Sequence, residues 1–226
     1  MGKIDTSLTH NSEVSYYRHI RTDIAEYVEK GNNRILDVGC GAGFLGEFLK
    51  LNGRASEVVG IEIDKVAASE ASTRLDRVIG ANLNQSGVSE IVIDFDKASF
   101  DYIVCADVLE HLIDPWKTLS ELLTFLKPGG KVVVSLPNVR HWSVWLPMVF
   151  RGRWEYQEAG IMDRTHLRFF TKAAALDLMA GAGLHVIECR PLIGGKWCLV
   201  DKFSLRKLQG VIAIQWMLVG IRKENP

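Results

Sequence analysis

Ile35-Leu36-Asp37-Val38-Gly39-Cys40-Gly41-Ala42-Gly43 is the stretch that decides how this chain is read. Residues 35–38 have the apolar character of a strand buried on both faces. A glycine-rich turn follows at once, and beyond it Phe44, Leu45, Phe48 and Leu49 fall at helical spacing. A strand that ends in Gly-x-Gly-x-Gly and opens a helix brings bare backbone close to a ligand. The helix N-terminus adds partial positive charge and unpaired N–H groups. The pattern predicts a nucleotide-like ligand at this turn. A dinucleotide is one candidate, but its G-x-G-x-x-G fingerprint needs glycine at 44, where Phe44 stands. An acidic residue about 20 positions on is common to both readings. Here it is Glu62, suited to accept hydrogen bonds from both ribose hydroxyls. Asp37, two residues before the first glycine, and the downstream sequence separate the readings.

Outward from that stretch, strands alternate with helices. Ser12 is expected to cap a first helix that runs to Lys30 and stops at Gly31, with Tyr17, Ile20, Ile24, Tyr27 and Val28 as its apolar stripe. Strands are expected over 34–38, 58–63, 77–80, 102–106 and 132–136. Helices should follow the first two of these, to about Asn52 and Leu75. Residues 107–112 read as a short helical turn. Asp114-Pro115 should start a helix whose buried side is Trp116, Leu119, Leu122, Leu123 and Leu126. Lys127-Pro128-Gly129-Gly130 reads as a turn. The alternation implies an α/β fold built on a doubly wound, mostly parallel sheet, with ligands at the strands' C-terminal ends. Residues 137–171 then break the pattern with an aromatic-rich stretch. We read it as a cap, a substrate-binding insertion within a single domain spanning 1–226, with one short helix near 141–150. Thr171 should cap the next helix. Segments 184–189 and 214–221 read as two final strands, a hairpin-like pair separated by a helical stretch over 201–209.

The 226 residues are 47% hydrophobic and 24% charged, with 27 Lys+Arg against 27 Asp+Glu. That balance argues against a broad polyanion-binding surface, though it leaves room for a local basic patch. Cys40, Cys105, Cys189 and Cys198 show no C-x-x-C pairing, as expected for reduced thiols in a cytoplasmic protein. Residues 1–11 are polar and give no sign of a signal peptide. The apolar runs 142–150 and 211–221 fall short of the roughly 20 residues of a membrane span, and Ser143, Pro147 and Gln215 interrupt them.

The glycine stretch, Val59-Gly60-Ile61-Glu62-Ile63-Asp64, Phe100-Asp101-Tyr102-Ile103-Val104-Cys105-Ala106-Asp107-Val108-Leu109-Glu110-His111-Leu112 and Leu126-Lys127-Pro128-Gly129-Gly130 occur in that order. Together they resemble the class I S-adenosylmethionine-dependent methyltransferases over nearly the whole chain. The resemblance implies a Rossmann-like, seven-stranded fold and S-adenosylmethionine as cofactor, with S-adenosylhomocysteine as product. It places Asp37, Gly39, Cys40 and Gly41 at the cofactor's methionine end, Glu62 on the ribose and Ile63 on the adenine. Asn82 and Leu83 would read the adenine edge, and Ala106 and Asp107 would meet the amino-acid part. Tyr17, Arg18 or Arg21 would reach its carboxylate from the N-terminal helix.

Asp107, Glu110 and His111 stand at i, i+3 and i+4 and so should share a helical face. A divalent cation is one reading of that trio, as in the similar ubiquinone-pathway O-methyltransferases. A metal-free cofactor and substrate mouth is the reading we favour. Residues 163–171, with Leu136-Pro137-Asn138-Val139-Arg140-His141-Trp142, resemble a bacterial subgroup associated with surface-polysaccharide synthesis. This implies a small-molecule or sugar acceptor. His166, oriented by Asp163, is the first candidate for a general base, ahead of His111 and His141. Arg164 and Arg168 are candidates for an anionic group on the acceptor, and Trp142 for stacking. The leading expectation is an O-methyltransferase. The alternatives are a non-catalytic cofactor-binding partner protein and an NAD-dependent oxidoreductase. Nucleic acid is not an expected substrate, since no Asn-Pro-Pro-aromatic or Asp-Pro-Pro-aromatic run follows 102–106. A homodimer is one candidate assembly, and the sequence does not disclose the oligomeric state.

Overall fold

The structure is a computed structural model and describes residues 20–195 and 197–222. The chain divides into two compact units, Met1–Asn82 and Leu83–Pro226. Their strands make up a seven-stranded mixed sheet, the α/β architecture expected from the alternating pattern.

The first unit carries α1 (Thr22–Ala25), β1 (Arg34–Val38), α2 (Phe44–Leu51), β2 (Glu57–Glu62), α3 (Lys65–Ala71) and β3 (Arg77–Gly80). Strand order is β3-β2-β1 and every pairing is parallel, with Asp37 opposite Gly60 and Gly60 opposite Val78. Ile35, Leu36, Val38, Val58 and Val59 are fully buried, as the apolar runs require. Asp64 caps α3 by accepting hydrogen bonds from the Val66 and Ala67 amides at 2.9 and 2.8 Å.

The expected helix to Lys30 is corrected here. Among the described residues it survives only as α1, beyond which the amides of Tyr27 and Val28 turn to the carbonyls three residues back, of Ile24 and Ala25, at 3.1 and 3.2 Å. Arg54 donates to the Val28 carbonyl, and Asn33 donates to the Glu29 carbonyl at 2.8 Å. Ser12 and Tyr17 lie outside the described residues.

The second unit carries α4 (Val88–Ile91), β4 (Phe100–Ala106), a 3-10 turn (Leu109–His111), α5 (Pro115–Leu122) and β5 (Leu126–Pro137). It continues with α6 (Trp142–Arg151), α7 (Lys172–Gly181), β6 (Leu184–Leu192), α8 (Trp197–Phe203), α9 (Gln209–Ile212) and β7 (Gln215–Arg222). Strand order is β4-β5-β7-β6, with β4 parallel to β5, and β7 antiparallel to both its neighbours. The final two strands thus form the antiparallel pair expected of them. Between them the helical stretch is split: the chain turns at 204–208, between α8 and α9.

Two expectations about α5 and β5 also change. Trp116 is 48% exposed and Thr118 is buried in its place. The indole lies sideways against Phe170, with ring centroids 6.4 Å apart, and the Arg168 guanidinium sits 5.8 Å from its ring. Lys127-Pro128-Gly129-Gly130 is a bulge inside β5 and not a turn before it. Phe100 pairs with Leu126 and Tyr102 with Lys131, so the four residues loop out between two paired stretches. Both ends of segment 137–171 are pinned together at its base, where Val139 donates to the Phe170 carbonyl at 2.9 Å. No helix among the described residues is long and apolar enough to cross a membrane.

Gly60 sits where β2 passes under the glycine turn. A Cβ there would lie 2.5 Å from Cys40 Sγ and 2.8 Å from Leu75 Cδ1. Gly60→Ala should therefore destabilise the fold by about 1–3 kcal/mol through overpacking, measured by urea unfolding. The Cys40→Ala background should recover part of that loss, and an additive double mutant would show that the two sites do not touch.

Candidate active site

In the first unit the candidate residues gather where β1 and β2 end. Gly39 and Gly41 have φ of 70° and 53°, left-handed values open to glycine without strain. The turn is stapled to the neighbouring strand: the amides of Gly39 and Cys40 both donate to the Ile61 carbonyl, at 2.8 and 3.1 Å. Glu62 completes the staple. Its Oε2 accepts from the Gly41 amide and its Oε1 from the Asp64 amide, each at 2.8 Å. A carboxylate carries about four acceptor positions, so two remain for a ligand's hydroxyls. The Cys40 side chain points into the packing against Gly60 and away from a ligand role, and burial pushes its thiol pKa up. Ile63, by contrast, is 62% exposed at the strand's end. The Arg21 guanidinium pairs with Asp23 at 3.0 Å. Asn82 is half-buried at this unit's end.

Asp37 is 2% exposed, and its Oδ2 has no hydrogen-bond partner among the described residues. A buried, unsatisfied carboxyl oxygen beside a bare-backbone turn suits a ligand that brings its own donor or positive charge.

In the second unit β4 delivers Ala106 and Asp107. Asp107 has φ of 57°, a left-handed conformation that aspartate tolerates better than most residues. It is fixed there by two side chains that sequence reasoning did not single out as functional. Ser135 Oγ and Gln215 Nε2 donate to Asp107 Oδ1 at 2.7 and 2.8 Å, and the Asp107 amide donates back to Ser135 Oγ at 3.0 Å. The signal was a polar residue inside each of two otherwise apolar strands. Leu83 lines a cleft with Asn84, Val88 and Glu121. Asn84 pins the 3-10 turn, donating to the His111 carbonyl at 3.0 Å and accepting from the Ile113 amide at 2.7 Å.

The two polar runs near 110 and 166 are stitched into one place. The amides of Leu167 and Arg168 donate to the Glu110 carbonyl at 2.8 and 2.9 Å. The Arg168 Nε donates to the Ile113 carbonyl at 3.0 Å, which makes this guanidinium part of the stitching. Arg164 pairs at the surface with Glu158 at 2.7 Å. The His111 and His166 rings meet edge to face with centroids 4.7 Å apart. His111 Nδ1 lies 3.2 Å from the Thr165 carbonyl and His166 Nδ1 lies 3.1 Å from that of Ile161. A carbonyl only accepts, so both rings are assigned as Nδ1–H tautomers with the lone pair on Nε2. Burial, then the neighbouring His166, holds the His111 pKa below its ordinary 6.5.

Three placements are corrected. Asp163 does not orient the His166 ring: its Oδ1 accepts from the Thr165 amide and hydroxyl, at 2.8 and 2.6 Å. Asp107 does not share a face with Glu110 and His111, because it stands before the 3-10 turn and is held by Ser135 and Gln215. His166 takes that place: Glu110, His111 and His166 each offer a ligand atom within 4.8 Å of the others. His141 caps α6, with Nδ1 2.7 Å from Ser143 Oγ. Trp142, 36% exposed, has its ring centroid 5.5 Å from that of Trp197.

Burial, with the Glu62 charge second, raises the Asp37 pKa from 3.8 to about 7. The folded chain therefore holds a proton that the unfolded chain has released across this window. The stability due to that proton is full below pH 3.8 and is lost as the pH rises through about 7, a change on the order of 4 kcal/mol. Asp37→Asn should lack this dependence, so its stability relative to wild type should grow across the window. Urea unfolding of both proteins over that range checks it, and a constant difference would refute the burial argument.

A family model described as a methyltransferase domain matches residues 10–189. A ubiquinone biosynthesis O-methyltransferase of Marinobacter nauticus is 34% identical over 169 residues, covering 73% of this chain and 69% of that protein. Another, of Aeromonas salmonicida, is 28% identical over 194 residues, covering 85% and 77%. Among solved structures, a SAM-dependent methyltransferase of Archaeoglobus fulgidus superposes with a TM-score of 0.67 at 14% identity, covering 94% of this chain and 99% of that one. Its likeness concerns the fold. The glycine turn, the unsatisfied Asp37 oxygen and the family match agree on the cofactor, and the chain belongs to the class I S-adenosylmethionine-dependent methyltransferases.

Proposed function

We propose that this enzyme transfers the methyl group of S-adenosylmethionine to a hydroxyl of a small molecule, with the His111–His166 pair taking the hydroxyl proton. The observation that carries the proposal is the fixed tautomer of both rings. Each Nδ1–H is committed to a backbone carbonyl, which leaves a basic Nε2 on each imidazole. A hydroxyl has a high pKa, so a positioned base lowers the barrier as the proton leaves. Two rings in edge contact do not both charge readily, and the depressed pKa of His111 keeps that ring neutral and receptive at pH 7. The Glu110 carboxylate, within 4.8 Å of both, stabilises whichever ring takes the proton. The names of the relatives, which are O-methyltransferases, support oxygen as the acceptor atom.

When bound, the cofactor supplies a methyl group on a sulfonium, ready for in-line displacement. The chain supplies alignment and a dry site. In this reading Asp37, Gly39 and Gly41 hold the methionine end, with Cys40 contributing backbone only. The two remaining acceptor positions of Glu62 take the ribose hydroxyls, and exposed Ile63 packs on the adenine. Asn82, Leu83, Ala106 and Asp107 complete the contacts. Residues 137–171 form the acceptor's cap. Within the small-molecule class we put a sugar hydroxyl first, since Trp142 and Trp197 offer a partly exposed aromatic surface for a sugar face. Four free cysteines support a reducing, cytoplasmic setting.

His166→Ala and His111→Ala should each lower kcat by about 10²- to 10⁴-fold and leave the calorimetric Kd for S-adenosylmethionine unchanged. Activity surviving in both would remove the proton-acceptor role. The acid limb of the pH–kcat profile should lie below pH 6.5, because the lowered pKa of His111 keeps it deprotonated further into acid. Glu62→Gln should weaken cofactor binding by about tenfold, through loss of a charged hydrogen-bond acceptor. An unchanged Kd would displace the ribose from this position.

A further inference from the structure

We propose that α8, the turn at 204–208 and α9 form a docking surface for an anionic phospholipid bilayer. The segment runs Trp197-Cys198-Leu199-Val200-Asp201-Lys202-Phe203-Ser204-Leu205-Arg206-Lys207-Leu208. It has two faces. Trp197, Val200, Asp201 and Ser204 turn inward, where Asp201 accepts from Gln209 at 3.1 Å and the Trp197 ring meets Trp142. Leu199 and Phe203, one helical turn apart, point outward with Leu205 and Leu208, at 62%, 84%, 78% and 43% exposure. Lys202, Arg206 and Lys207 are exposed among them, and no ion pair joins any of the three to a described carboxylate. Soluble surfaces scatter single apolar side chains. Four within ten residues, interleaved with three cations, is the composition of an interfacial segment.

Charge decides the occupant. Anionic headgroups complement Lys202, Arg206 and Lys207, while Phe203 and Leu205 reach the acyl boundary beneath them. A second copy of the chain would set the same cations against one another. Shape agrees, because Leu205 and Arg206 have φ of 51° and 64°. That tight left-handed turn makes the apolar side chains project, where a peptide would need a groove.

The placement also has a use. β6 runs parallel to β5, so Leu192 leaves the sheet at the same end as Pro137, and both flank Gln215 of β7. The docking segment hangs from that end. Asn138 ties it down, donating to the Gly210 and Ala213 carbonyls at 3.1 and 2.8 Å. Docking would bring the end of the sheet that carries Asp107 toward the lipid.

Vesicle flotation of the full-length chain tests the proposal, independently of methyl transfer. The probes are vesicles of phosphatidylcholine with phosphatidylglycerol, and of phosphatidylcholine alone. Wild type should bind the anionic vesicles, with partitioning that falls as salt rises. Lys202→Ala, Arg206→Ala and Lys207→Ala should each lower it about fivefold. Phe203→Ser with Leu205→Ser should lower it further, with melting temperature and cofactor Kd unchanged in every variant. No binding, equal binding to both vesicle types or variants that bind as wild type would overturn it. So would a dimer in sedimentation that Phe203→Ser dissolves.

Discussion

The glycine turn is held in shape by a buried carboxylate from the next strand. Glu62 spends one oxygen on the Gly41 amide and the other on the Asp64 amide. It thereby locks the turn, the end of β2 and the start of α3 into a single geometry. Hydrogen bonds to a charged acceptor are worth about 1.5–3 kcal/mol each, enough to make the turn rigid before any ligand arrives. A rigid turn spares the ligand the cost of ordering it. The same charge has a second effect. It lies close enough to Asp37 to add to the burial that keeps that carboxyl protonated to about pH 7. One residue therefore shapes the turn and adds to the burial that holds the proton on Asp37.

The second unit solves a related problem with different means. Asp107 in a left-handed conformation costs on the order of 1–3 kcal/mol. Two donors to Oδ1 and one amide bond to Ser135 offset that cost. The donors come from β5 and β7, strands that are remote in sequence. Gln215 reaches Asp107 only because β7 is antiparallel. The strand begins at the end of the sheet where β4 and β5 finish, so its first side chain meets their last ones. A parallel seventh strand would have put this position at the far end.

Local features of the chain were legible where local chemistry decides them. The apolar runs of β1, β2 and β4 announced buried strands, Asp114 and Thr171 announced caps, and the glycines announced the turn. Features decided by distant partners were not. The chain's exit after α1 is held by Arg54 and Asn33, which bond the Val28 and Glu29 carbonyls. Trp116 has the spacing of a core residue, yet Phe170 and Arg168 draw it to the surface. Asp163 stands close to His166 in sequence, but Thr165 satisfies it first. In each case a polar or aromatic group found a nearer partner that periodicity does not encode.

The pairing of His111 with His166 shows how far such partners can matter. Nothing local links the two residues. They meet because backbone amides of 167 and 168 both settle on the Glu110 carbonyl, and because the Arg168 side chain takes the carbonyl of Ile113. None of these bonds uses an imidazole nitrogen, so they fix where the rings stand without spending either Nε2 atom. The carbonyls of Thr165 and Ile161 then fix which nitrogen carries the proton. A pair of imidazoles built in this way owes its position to the loops that carry it. Arg168 consequently contributes through the loop it anchors, and its loss would be felt at the histidines even without contact with the acceptor.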